Sequence, residues 1–290
     1  MSPILKEKGI FMIYLLLAIA CSSMVSVIMR ISERYVRNNM VMFTTNYAIC
    51  LALSRFYMGQ INLFTTAPGI ETAAVLGLIS GILYLVNFVL MQKNIYQNGI
   101  MLSSLFGKLG ILVPTLMAVF VFHEKPKFTQ ITGVITAVLA ILLINLERGG
   151  FKKGGKRVLL LILLLCTGIT DSMANIYDKT GSSALKDHYL FYIFLAALIL
   201  AFLMVLFKKQ RLTLKDVLFG VLIGVPNYFS SRFLLLAVGS LPAVITYPVY
   251  SVGTLIVITV ASVLFFKEKL SNQKKTALVL ILGALVLLNI

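Results

Sequence analysis

The sequence predicts an all-α polytopic membrane protein: ten transmembrane helices arranged as two inverted five-helix repeats. Three observations lead there. Apolar runs of about twenty residues, the length that spans a bilayer's hydrocarbon, recur along the whole chain. The polar gaps between them are too short to form a soluble domain. The second half of the chain also echoes the first, element for element.

Composition supports the first observation. Of 290 residues, 59% are hydrophobic and 12% are charged, and mean hydropathy is +0.97. A soluble domain of this length must cover itself with polar groups and has no use for so much apolar surface. The runs place spans at 9–29, 40–60, 71–91, 100–122, 128–146, 158–177, 189–207, 216–237, 243–266 and 272–290. The first run continues past Cys21 to about Met29, so it reads as a span and not as a cleaved signal. Helices are expected because a bilayer leaves no water to satisfy an open backbone. The strict alternation of a membrane barrel strand is absent from these runs.

The basic, glycine-rich stretch RGGFKKGGKR, Arg148 to Arg157, interrupts the pattern and divides the chain. It gives a first repeat over 1–148, a linker loop over 149–157 and a second repeat over 158–290. At an offset of 144 residues, Glu124 matches Glu268, Lys125 matches Lys269 and Asn145 matches Asn289. Gly77 and Gly81 of the third span correspond to Gly220 and Gly224 of the eighth. Ser23-Met24 lies seven residues before Arg30, as Ser172-Met173 lies seven before Lys179. An odd number of spans per half makes the second half enter the bilayer from the opposite side. That is a recurrent transporter plan, with the solute site between the halves.

These features resemble the drug/metabolite transporter superfamily in its EamA-like branch, over the whole chain. The most specific piece is Phe122-His123-Glu124-Lys125-Pro126, followed by Gln130 and Gly133. The second copy keeps Phe266 and Glu268 and carries Gly283, with Leu270 where the first has Pro126. The family often has a proline earlier in spans 4 and 9. Here Gly110 and Thr254 stand near that place, and Pro114 and Pro248 are displaced from it. The resemblance implies a central cavity lined by spans 1, 3, 4, 6, 8 and 9, with spans 5 and 10 outside it. It does not imply one substrate.

Polar stripes at helical spacing point to the same spans independently. Span 1 offers Ser22 and Ser26, span 3 Tyr84 and Asn87, and span 4 Ser104 and Lys108. Span 6 offers Thr167, Asp171, Asn175 and Asp178. Span 8 offers Asn227, Tyr228 and Arg232, and span 9 Tyr247, Tyr250 and Thr254. Such residues can also simply glue helices together. Ionisable groups within a span are costly and point to function. At 1.5 Å per residue, Lys108, Asp171 and Arg232 lie roughly 12, 20 and 24 Å from the same side. Asp171 is thus within vertical reach of either cation. One reading makes this a fixed structural pair; the other makes it a cavity-lining pair that changes partner when solute or a proton arrives. Pro226 and Pro248 either break their helices at that depth or only kink them.

The function expected is secondary transport of a small polar metabolite, anionic or zwitterionic, across the cytoplasmic membrane by alternating access. A flippase for a lipid-linked sugar is the alternative, and an intramembrane enzyme a weaker one. The sequence lacks GxSxG, HExxH and a carbonyl-filter motif. It also lacks metal-ligand spacing, and its three cysteines lie in apolar runs, so neither metal, cofactor nor disulfide is expected. The net charge of +16 does not indicate nucleic acid, because the basic residues sit in short loops beside the spans. Expected partners are the solute, membrane lipid and a coupled proton or counter-solute; a homodimer stays open. The loops after spans 1, 3, 5, 7 and 9 hold 17 of the 26 Lys and Arg. The positive-inside rule therefore puts both termini outside, against the usual orientation of the family.

Overall fold

The structure, a computed structural model, describes residues 3–58, 67–110, 112–113, 127–145, 154–238, 243–267 and 272–288. Among these, ten α-helices carry the chain: α1 (Pro3–Ser32), α2 (Asn39–Tyr57), α3 (Ile70–Asn98), α4 (Ile100–Leu109), α5 (Phe128–Asn145), α6 (Gly154–Thr180), α7 (Lys186–Phe207), α8 (Leu214–Val238), α9 (Ala243–Leu264) and α10 (Asn272–Leu288). A short 3-10 turn, Ser183–Leu185, precedes α7. Four stretches are long and apolar enough to cross a membrane: Met12–Ser32, Ile70–Asn98, Lys186–Phe207 and Leu214–Leu234. Their outward faces carry large exposed apolar side chains, such as Leu16 of α1, Ile79 of α3, Phe202 of α7 and Leu222 of α8. A surface of that kind suits hydrocarbon and not water.

The helix positions follow the apolar runs, with instructive differences. α3 continues to Asn98, well past the expected end near residue 91. Its polar last turns are tied down: Gln92 Nε2 donates to the Met29 carbonyl at 3.2 Å, and Asn94 Nδ2 to the Leu159 carbonyl at 3.0 Å. Gly99 then turns the chain into α4 with φ of +84°, a conformation that L side chains rarely adopt. α6 begins at Gly154, inside the expected linker. α8 runs unbroken through Pro226 and α9 through Pro248, so neither proline breaks its helix. The Glu124 and Glu268 junctions, Pro114, Asn289 and the loop around 146–153 lie outside the described residues.

The larger helix contacts among the described residues come in pairs related by an exchange. α3 packs on α7, and α2 on α8. α1 packs on α8, and α3 on α6. α1 packs on α9, and α4 on α6; α3 packs on α4, and α8 on α9. Each contact becomes its fellow when both helices are replaced by those five places along. The contacts α2 with α7, α4 with α9 and α5 with α10 are their own images.

The exchange holds at the level of atoms. A Cβ added to Gly77 of α3 would lie 2.7 Å from the Tyr192 Cβ and 3.0 Å from the Tyr189 carbonyl of α7. One added to Gly220 of α8 would lie 2.5 Å from the Thr45 Cβ and 2.6 Å from the Met42 carbonyl of α2. Gly81 meets the Ile193 carbonyl and Ala196 Cβ, as Gly224 meets the Asn46 carbonyl and Ile49 Cβ. All four α7 contacts are 147 residues on from their α2 counterparts. Two more glycines lie at close crossings: Gly110, which caps α4, lies against the backbone of Gly168 of α6, and Gly253 of α9 lies against the Ile19 side chain of α1.

These crossings carry the fold's first prediction. Gly81→Val and Gly224→Val should each destabilise the purified protein by about 1–3 kcal/mol, the usual cost of overpacking, and by similar amounts because the crossings are alike. Gly283→Val, at a glycine with nothing within 4 Å of its Cβ position, should leave stability nearly unchanged. Thermal unfolding followed by size-exclusion chromatography measures all three.

Candidate functional site

The inner face of α6 can be followed residue by residue. Leu160 and Leu164 are buried, while Ile162, Leu165 and Ile169 on the opposite face are exposed. Thr167 continues the inner stripe and donates to Asn87 Oδ1 of α3 at 2.9 Å. Asp171 comes one turn later on the same stripe, yet it is exposed. An inward residue that a solvent-sized sphere can touch borders open space inside the ring of helices.

Neighbouring helices supply what surrounds that space. Lys108 of α4 acts electrostatically on Asp171, and its Nζ lies 4.2 Å from the centre of the Tyr250 ring of α9. A cation over a phenol face gains roughly 0.5–2 kcal/mol, more when desolvated. Next to Lys108, a Cβ at Gly107 would meet nothing within 4 Å. Ser104, a turn earlier, is 3% exposed, and its hydroxyl has no hydrogen-bond partner among the described residues. Tyr84 of α3 lies within electrostatic range of Asp171 and Tyr250, and Ser231 of α8 meets its phenol. The Tyr250 hydroxyl is 3.4 Å from the Ser230 hydroxyl of α8.

The exchange rule reaches the site too. Thr167 of α6 bonds Asn87 of α3; at the image positions, the Ser230 hydroxyl of α8 donates to the Ala18 carbonyl of α1 at 3.5 Å. Charge breaks the symmetry. The image of Asp171 is Ser22, and the image of Lys108 is Val252.

Among the residues singled out from sequence, the structure places Lys108 and Tyr84 within electrostatic range of Asp171, Tyr250 beneath Lys108, and Asn87 on Thr167 one turn before Asp171. It separates three others. Asn227 points toward α2, donating to Asn46 Oδ1 at 3.2 Å and Cys50 Sγ at 3.5 Å. Tyr228 is 1% exposed and packs on Phe194 and Tyr57. Arg232 does not pair with Asp171. Its partner is Asp187 at the start of α7, at 3.1 Å, with the Tyr228 hydroxyl also 3.1 Å away. Ser26 is buried in α1. Asn175 and Tyr247 sit on described helices, but their side chains lie outside the described residues. Asp187 and Tyr57 escaped the sequence reading. Asp187 sits in the first turn of its helix, where a carboxylate is ordinarily accounted for by the helix dipole.

Comparison with known proteins adds the following. No family model matches the chain. It is 26% identical over 282 residues to an uncharacterized protein of Haemophilus influenzae, covering 93% of this chain and 95% of that one. A protein of known crystal structure matches with a TM-score of 0.61 at 15% identity, covering 96% of each chain. The likeness extends to the fold from end to end.

The site geometry predicts a sharp contrast in reactivity. In a background without native cysteines, Asp171→Cys should react readily with a small, water-soluble thiol reagent. Thr170→Cys, at a neighbour only 6% exposed, should react at least about tenfold more slowly if burial controls access. Mass spectrometry of the purified folded protein gives both rates.

Proposed function

We propose that the chain crosses the bilayer ten times as two inverted five-helix repeats and works as a secondary transporter for a small polar solute held around Asp171 and Lys108. The observation that carries this reading is Asp171 itself, a carboxylate on an inward helix face that is nonetheless open to solvent-sized contact. An ionisable group at this depth is costly unless it is paired or used. Lys108 lies within electrostatic range of it and is itself held over Tyr250. The exchange of contacts between the first and last five helices supports the inverted plan, in which the solute site lies where the halves meet.

Together the two charged groups favour a solute carrying both signs, or an anion that draws Lys108 away from Asp171. A proton or counter-solute taken up at Asp171 would then balance the charge. The Lys and Arg bias supports termini on the outer face of the cytoplasmic membrane. Arg34, Arg37, Lys93, Arg211, Lys215 and Lys267 are exposed at the end where α1, α3 and α9 finish and α8 begins.

The test is uptake into proteoliposomes by the purified protein, screened with amino acids, nucleosides, amines and sugar phosphates, and with a lipid-linked sugar for the flippase alternative. Asp171→Asn should lower the rate by about 10²-fold or more while the protein stays folded, and Lys108→Gln should weaken transport of anionic groups most. Unchanged transport in Asp171→Asn removes Asp171 from the mechanism. Movement of the lipid-linked sugar alone replaces the soluble solute with an amphipathic one.

A further inference from the structure

We propose that Arg232 and Asp187 form a latch closing one end of the solute site, at the end where α2 and α8 finish and α7 begins. This inference rests on the transporter reading and adds a gate to it. The guanidinium of Arg232 bridges α8 to the first turn of α7 through Asp187 at 3.1 Å. It also lies over the Tyr57 ring at the end of α2, 4.4 Å from its centre, and bonds the Tyr228 hydroxyl. Three helices are thus tied by one side chain. The pair is only half-buried, with side-chain exposures of 21% and 38%. Such a pair is weakly stabilising and can open without leaving a charge stranded in hydrocarbon.

Two further observations assign it a role beyond holding the fold. The images of Arg232, Tyr228, Asp187 and Tyr57 under the exchange are Val89, Leu85, Met40 and Met204. Leu85 and Met40 are buried in one apolar cluster, and Val89 and Met204 pack against it. The four image positions therefore meet through apolar contacts, so a charged pair at this place is not something the architecture demands. A chain of rings also links the latch to the solute site. Tyr84, in range of Asp171, meets Phe194 edge-on at 6.4 Å between centres; Phe194 meets Tyr228 at 6.2 Å; and Tyr228 bonds Arg232. A solute that displaces Tyr84 would press on that chain.

The experiment reads access rather than transport. A single-cysteine reporter, Gly107→Cys, in a background without Cys21, Cys50 and Cys166, places a thiol next to Lys108, where an added Cβ meets nothing within 4 Å. Membrane vesicles are chosen in which an impermeant thiol reagent reaches a separate Thr180→Cys reporter, which marks the latch end as facing the bath. Asp187→Asn and Arg232→Gln, made separately so that one folded variant suffices, should each raise the labelling rate of the Gly107→Cys reporter on the order of tenfold. That rise corresponds to about 1.4 kcal/mol shifted toward the open state. The exchange Asp187→Arg with Arg232→Asp should bring the rate back toward that of the parent. A reporter labelled at the parent's rate in both single variants overturns the latch and leaves the solute site standing, as does an exchange that fails to restore protection. A reporter unreachable from either face in every variant overturns the open site and the latch together.

Discussion

The close approach of helix backbones at glycine is the constraint from which the rest of this structure follows. In hydrocarbon there is no hydrophobic force between helices, so they associate through packing and hydrogen bonds, and small residues set how near they come. Gly77 and Gly81 let α7 lie directly on α3, and Gly220 and Gly224 let α2 lie directly on α8. Cys50 shows how near the second pair comes, since its thiol donates to the Gly224 carbonyl across the helices at 3.3 Å. With those crossings fixed, α3 and α8 can each hold an inner helix: α6 through Asn87 and Thr167, and α1 through Ser230 and Ala18. The open space around Asp171 lies along the α6 side of this frame.

Symmetry explains the frame, and departures from it locate the chemistry. The glycine contacts of α3 with α7 recur at α8 with α2, whereas Asp171, Lys108, Arg232 and Asp187 have uncharged images. The Asp216 carboxylate is another unmatched group, and it does a structural job. It accepts from the Arg37 amide at 2.9 Å and the Asn38 amide at 3.4 Å, fixing the 33–38 turn and the start of α2 on α8. Its image is Ala73, so an unmatched charge is a guide to the site only where it also borders open space.

The all-helical fold was legible in the sequence, and four stretches among the described residues have the length and apolarity that bilayer thickness demands. The glycine pairs could be matched between halves from their spacing, but the helices they touch could not, since spacing within a helix says nothing of its partner. The end of α3 was missed because hydropathy fades after Met91, and what extends the helix is hydrogen bonding from Gln92 and Asn94 to distant carbonyls. At the site, the Thr167–Asp171 stripe was legible as a single-helix pattern. The partner of Arg232 was not: Asp187 lies 45 residues away at a helix end, and depth alone made Asp171 look equally reachable. Asn227 was polar and at the right depth, but its azimuth turns it to Asn46 and Cys50.

All of this rests on the two halves being one unit inserted in opposite senses. Arg34, just after α1, and Thr180, at the end of α6, lie at corresponding helix ends and are both exposed. The most direct measurement labels a single cysteine at each with a membrane-impermeant reagent, in intact cells and in inverted vesicles. Inverted repeats predict opposite sidedness, and the Lys and Arg bias predicts Thr180→Cys labelled in cells and Arg34→Cys protected there. Labelling of both positions from the same side would contradict the account.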